Sequence, residues 1–123
     1  FFAAVKSGDA AVLGALLAQT ATFHSDGGGK RPAPLNVVVG AERIARLLRG
    51  IRAKWGTAPT RFAQRLALNG LPGLLTVEPD GTVQTTALEI SEGRVVAIYV
   101  TRNPDKLAHL MPLIPEPLAT PET

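Results

Sequence analysis

RFAQRLALNGLPGLLTVEPDGTVQTTALEISEGRVVAIYVTR, residues 61–102, decides the fold class of this chain. Four β-prone runs alternate with turn signals. Arg61 to Leu68 ends at Asn69-Gly70, a dipeptide suited to the left-handed angles of a two-residue hairpin. Leu71 to Glu78 ends at Pro79-Asp80-Gly81, Thr82 to Ser91 ends at Glu92-Gly93, and Arg94 to Arg102 carries Val95, Val96, Ile98, Tyr99 and Val100. Consecutive hairpins imply an antiparallel sheet.

Helices come before it. Glu42 to Trp55 places Ile44, Leu47, Leu48, Ile51 and Trp55 on one face, with Arg43, Arg46, Arg49 and Arg52 around the rest. Upstream, Phe2 and Val5 begin a short apolar helix face, Ser7-Gly8-Asp9 ends one helix and caps the next, and Val12, Leu13, Leu16 and Leu17 recur at helical spacing. Thr20 to Ser25 and Asn36 to Val39 read as strands. A short helix is expected at Asp105 to Leu110, and the proline-rich segment from Met111 to Thr123 as an extended or disordered tail. Helices grouped at one end of an antiparallel sheet make an α+β fold, with the sheet curled around the long helix.

The chain has 123 residues, 46% of them hydrophobic, which suits one domain with an aliphatic core. Its net charge of +3 permits an acidic partner without requiring nucleic acid. No Cys is present, so disulfides, thiolate metal sites and Cys nucleophiles are excluded, in keeping with an intracellular protein. No run approaches the ~20 apolar residues of a membrane span. Lys6, the apolar run from Ala10 to Ala18 and the small residues after it mimic a signal peptide, but Asp9 at the edge of that run argues against one. A start at Phe1, without Met and inside a helix-like stretch, suggests a processed product or an excised domain.

Two polar motifs stand out. Asp26-Gly27-Gly28-Gly29-Lys30 offers backbone N–H groups free of side chains between opposite charges. It reads either as a solvated turn or as a contact surface. It is not a phosphate loop, since Gly-x-x-x-x-Gly-Lys-Ser/Thr is unmatched and no helix starts there. Asn103-Pro104-Asp105-Lys106-Leu107 can start a helix whose Leu107 and Leu110 close the open end of the sheet. The arginines of the long helix lack interleaved aromatics, so a solvated face is favoured over nucleic-acid binding. Among acids, Asp26, Glu42, Asp80, Glu92 and Asp105 read as turn or cap residues. Glu78 and Glu89 lie on strands whose pattern does not fix which way they face; a pair such as His24 with Glu89 could serve proton transfer, while a lone His beside Phe23 is more often a packed or surface residue. His24 and His109 have no metal-binding spacing, so no metal is expected.

The element order resembles the SnoaL-like cone of the nuclear-transport-factor-2-like superfamily. Phe2 to Asp9, Ser25 to Lys30, Val39 to Arg43, Asn69-Gly70 and Arg102 to Leu107 together resemble the SnoaL-like C-terminal domain of extracytoplasmic-function (ECF) sigma factors, over roughly residues 1–110. That resemblance implies a cytoplasmic regulatory domain that modulates transcription initiation in cis. Its partners would be the promoter-reading sigma domains, which this chain lacks, and RNA polymerase. The implied contact residues are Asp26, Gly27, Gly28, Gly29, Lys30, Asn103, Pro104, Asp105, Lys106 and Leu107. No direct DNA contact by this domain, no cofactor and no membrane association are expected. A homodimer and an unidentified small ligand remain open, the ligand in a pocket lined by His24, Trp55, Glu89 and Tyr99. The alternative is a stand-alone SnoaL-like binding protein or an enzyme of isomerase or cyclase type.

Overall fold

The computed structural model describes residues 10–26, 37–55 and 61–115, without the side chains of Ala10, Arg52, Lys54 and Trp55. Helix α1 (Ala10–Leu16) runs directly into β1 (Leu17–Asp26). Then come β2 (Val38–Val39), α2 (Ala41–Trp55), β3 (Phe62–Leu68), β4 (Leu71–Val77), β5 (Val83–Ser91) and β6 (Arg94–Thr101). A single helical turn, α3 (Pro104–Leu107), continues as a 3₁₀ segment, Ala108–Leu113. The helix expected around Phe2 and Val5 lies outside the described residues.

Among the described residues the strands form one six-stranded sheet in the order β2-β1-β6-β5-β4-β3. The meander β3 to β6 is antiparallel, as the turn signals require. Both residues of Asn69-Gly70 and of Glu92-Gly93 have positive φ, the geometry whose twist matches flanking strands. The β1–β6 pair is parallel, so the sheet is mixed rather than wholly antiparallel. Hairpin signals fix only neighbours in sequence; β1 and β6 meet from opposite ends of the chain.

Strand alternation gives the sheet two different faces. On one, Ala21, Phe23, Leu88, Ile98 and Val100 pack with Ile44 of α2, and Leu47 and Leu48 lie against them. The entry to α2 is fixed by Gly40, whose N–H donates to the Ala21 carbonyl (2.8 Å) and whose carbonyl accepts from Ile44 (3.0 Å). On the opposite face, Leu75 and Val77 carry Leu107, Leu110 and Ile114, with Phe62, Leu66, Leu68, Val83 and Met111 around them. The extended tail expected from Met111 therefore starts later: Met111 to Leu113 belong to the 3₁₀ segment and Ile114 is buried. Proline content suggested a break, but Pro112 sits within a short 3₁₀ run, and the apolar residues around it are drawn onto the sheet.

Leu17 also departs from its expected role. It continues the apolar spacing of α1 yet opens β1, paired with Val95 and fully buried. Tertiary pairing outweighs helical periodicity at that junction.

Candidate interaction edge

Parallel pairing of β1 with β6 brings their C-terminal ends to one edge of the sheet, with Asp26 beside Thr101. Asp26 ends the first strand and Asn103 follows the last. The backbone N–H of Arg102 donates to the Asp26 carbonyl at 2.7 Å. Lys106 Nζ donates to Asp26 Oδ2 at 2.5 Å. Two motifs 80 residues apart thus share an ion pair. Both side chains are partly exposed, so the pair is worth only about 0.2–1 kcal/mol to stability.

Local chemistry builds the second motif. Asn103 has an extended backbone, and its Oδ1 accepts from the Asp105 N–H at 3.1 Å, capping α3. Pro104, lacking an N–H, occupies the first turn. The Asn103 carbonyl accepts from Lys106 (3.1 Å) and Leu107 (3.2 Å). Leu107 turns inward onto the Leu75–Val77 cluster while Asp105 and Lys106 stay exposed. Anchor and charges therefore come from one turn. Gly27, Gly28, Gly29 and Lys30 lie outside the described residues; of the glycine motif, only Asp26 is placed, against Lys106.

A third element reaches the same edge. Antiparallel pairing of β5 with β6 sets the Glu78–Gly81 turn near Arg102. Asp80 Oδ1 accepts from the Thr82 N–H (2.9 Å), and its Oδ2 stands 3.9 Å from Arg102 Nη2. The Arg102 side chain is only 17% exposed. Glu78, half-buried, has its carboxyl pushed above the ordinary carboxylate range, chiefly by burial; a hydrogen bond from Thr76 and the Arg102 charge oppose that rise, and Asp80 adds to it. In the sequence Asp80 reads as a turn residue, and Arg102 and Glu78 are not among the expected contact residues. A usable signal existed: the hairpin register places residues just before β5 beside those just after β6.

The pKa direction carries a stability consequence. Below the ordinary carboxylate range, folded and unfolded chains both hold the Glu78 proton. As pH rises the unfolded chain ionises first, so stability is lost until the folded carboxyl has ionised too. Glu78→Gln is expected to gain on the parent as pH rises from about 4 toward neutrality, read as the difference in urea midpoint. A difference that shrinks with rising pH would contradict the burial account.

His24, Tyr99 and Glu89 do come together, but on the sheet face opposite α2. His24 and Tyr99 are register partners and stack at 4.8 Å, with planes 17° apart. Tyr99 Oη donates to Glu89 Oε1 at 2.9 Å, and His24 Nε2 lies 2.9 Å from Thr22 Oγ1. Accepting that bond, Glu89 pushes the Tyr99 phenol above its ordinary value, so Tyr99 is a poor base at neutral pH. Tyr99 and Glu89 are exposed. Trp55 ends α2, and its side chain lies outside the described residues. Among the described residues no three His, Cys, Asp or Glu gather as a metal site, and no helix is long and apolar enough to cross a membrane.

No family model matches the sequence. The chain is homologous to the ECF RNA polymerase sigma factor SigJ of Mycobacterium tuberculosis, with 29% identity over 111 residues, 85% of this chain and 36% of that protein. It thus spans little more than a third of that relative. The crystal structure of SigJ superposes with a TM-score of 0.72 at 29% identity, covering 86% of this chain and 41% of SigJ. A SnoaL-like protein of unknown function from Burkholderia thailandensis matches with TM-score 0.62 at 14% identity, covering 80% of this chain and 84% of that one. An NTF2-like protein of unknown function from Cytophaga hutchinsonii gives 0.57 at 13% identity, over 86% of each chain. The fold is therefore the SnoaL-like, NTF2-like one.

Proposed function

We propose, from the homology to an ECF sigma factor and the SnoaL-like fold, that this chain is the regulatory domain of an ECF-type sigma factor. It docks on the promoter-reading sigma domains, modulates their engagement of RNA polymerase, and acts in the cytoplasm without touching DNA itself. The observation that supports this reading best is the Asp26–Lys106 ion pair, which joins the two motifs at one exposed edge. Glycine-motif residues Gly27 to Lys30 extend the proposed contact, and Asn103 to Leu107 form its second half.

The isomerase- or cyclase-type reading finds less support. The three grouped polar residues, His24, Tyr99 and Glu89, lie across the sheet from α2. Their one strong link consumes the carboxylate as an acceptor for Tyr99.

The test uses the intact factor. Asp26→Ala and Lys106→Ala should each change output from the cognate promoter about three- to tenfold, the effect of roughly 0.7–1.4 kcal/mol at a docking contact. Thermal unfolding of the domain should hardly move, because an exposed pair contributes little. Unchanged promoter output at normal protein levels in both variants would overturn the reading.

A further inference from the structure

At one edge of the sheet β3 pairs, among the described residues, with β4 alone. In an antiparallel ladder alternate residues turn their N–H and C=O to alternate sides, so about half of the β3 backbone groups point away from the sheet. The strand is seven residues long, contains no Pro, and keeps an unbroken register from Phe62↔Val77 to Leu68↔Leu71. The other edge differs: β2 has two residues, too few to hold an added strand.

Side chains along β3 divide by face. Phe62, Leu66 and Leu68 are half-buried against the cluster of Leu75, Val77, Leu107, Leu110 and Ile114. Ala63, Arg65 and Ala67 lie on the other face and are exposed. Arg61 stands just before the strand, is exposed, and is tied to β4 by its N–H on the Val77 carbonyl at 2.7 Å. Alternation puts it in line with Ala63, Arg65 and Ala67, about 13 Å along the strand from Arg65. Two arginines thus flank one small residue. Their neighbours on β4, Thr76 beside Ala63 and Leu74 beside Arg65, carry no charge. Among the described residues no acid forms an ion pair with either arginine.

We propose that the β3 edge accepts an added strand from an acidic partner, an extended segment with carboxylates four residues apart and an apolar residue midway between them. Backbone groups supply the ladder, and the side chains select what enters it. On the added strand, the residues opposite Arg61, Ala63 and Arg65 share one face at i, i+2 and i+4. Carboxylates at the outer two positions meet guanidinium forks. The small Ala63 leaves room for a branched side chain at the middle one. A second copy of this chain is a poor occupant. Two-fold pairing over the whole strand sets Arg65 against the second copy's Arg65, and like charges directly opposite oppose pairing. Nucleic acid would leave the ladder unused, and the exposed row has no aromatic on which a base could stack. This inference does not rest on the sigma-factor reading.

The test titrates the chain by itself with an end-capped seven-residue peptide. Its glutamates stand four residues apart, valine lies midway, and threonines fill the other positions. That pattern reads the same in both directions, so strand polarity does not enter. Amide resonances from Arg61 to Leu68 should shift saturably, with an affinity of about 0.1–1 mM because a short free peptide loses its flexibility on binding. Alternate β3 amides should gain protection from exchange. Arg61→Gln and Arg65→Gln should each weaken binding about two- to fivefold, the size of an exposed cross-strand ion pair, with the thermal midpoint unchanged. A peptide of the same composition with adjacent glutamates should bind more weakly. One with two consecutive prolines at its centre should not bind, because one of the two lost N–H groups belongs to the ladder whichever side faces β3. Equal affinity for the adjacent-glutamate peptide would overturn the proposal. So would an oligothymidylate that shifts the same amides as strongly, since either result leaves only a general attraction to negative charge. No saturable shift at about 1 mM peptide, or unchanged affinity in both arginine variants, would also overturn it. Self-association that protects the β3 amides would give the edge to a second copy instead.

Discussion

Replacing Ile44 by alanine is expected to destabilise the domain by about 2–5 kcal/mol, the range for emptying a fully buried aliphatic site. Ile44 is 0% exposed and is the α2 residue that enters the cluster of Phe23, Leu88, Ile98 and Val100. Its backbone N–H also makes the first bond of the helix, to Gly40. The lost side chain leaves a gap between α2 and the β1–β6 pair, and neighbours bonded into a sheet can close it only in part. Chemical denaturation should show a lower midpoint with an unchanged slope. Leu47→Ala, half-buried on the same helix, is the comparison and should cost less. Equal losses at the two positions would mean that the burial difference does not set the energetics of α2.

Ending the chain at Leu110 should also be costly. That cut removes Met111 and Ile114 from the cluster over Leu75 and Val77. Ile114 is 4% exposed, and burying such a side chain is worth about 1.5–3 kcal/mol. The cut also breaks the bond from the Ile114 N–H to the Met111 carbonyl at 3.0 Å and leaves Leu110 at a frayed end. A total near 3 kcal/mol is a large share of the roughly 5–15 kcal/mol that holds a domain together. The measurement compares thermal unfolding of chains ended at Leu110 and at Pro115. Identical midpoints would show that the 3₁₀ segment adds nothing, and would restore the boundary at residue 110.

Much of this fold was legible because its signals are local. Asn69-Gly70 and Glu92-Gly93 specify hairpins through backbone angles, so β3 to β6 could be placed within a residue or two of where they lie. The apolar stripe of α2 predicted its buried side, although Ile51 is exposed. What escaped was non-local. Nothing in Leu17 announces that a strand 78 residues later will claim it from the helix. The parallel β1–β6 pair follows from no turn.

The site divides in the same way. Asp26 and the Asn103 to Leu107 segment were found as motifs, and their meeting through Lys106 is a matter of topology. Among the described residues Asp26 pairs with Lys106; Lys30 lies outside them. Glu78 was hidden by ambiguity of face, since a strand-end carboxylate can point either way until register is known, and Asp80 by its turn, whose nearness to the end of β6 only the register shows. His24, Glu89 and Tyr99 stand together on the face away from α2, which strand alternation alone could not tell, since it gives parity without saying which side the helix covers.

The parallel pairing of β1 with β6 also bears on how the chain acquires its structure during synthesis. The first strand emerges from the ribosome well before the last, and its long-range partner does not exist until residue 101 has been made. The four-strand meander can assemble from neighbours as it appears, whereas β1 and α1 must wait, with Leu13, Leu17, Ala21 and Phe23 unsheltered by the sheet. Closing so distant a contact is slow compared with forming a hairpin. The nascent α1–β1 stretch, residues 10–26, is thus the one on which a chaperone has the longest time to act.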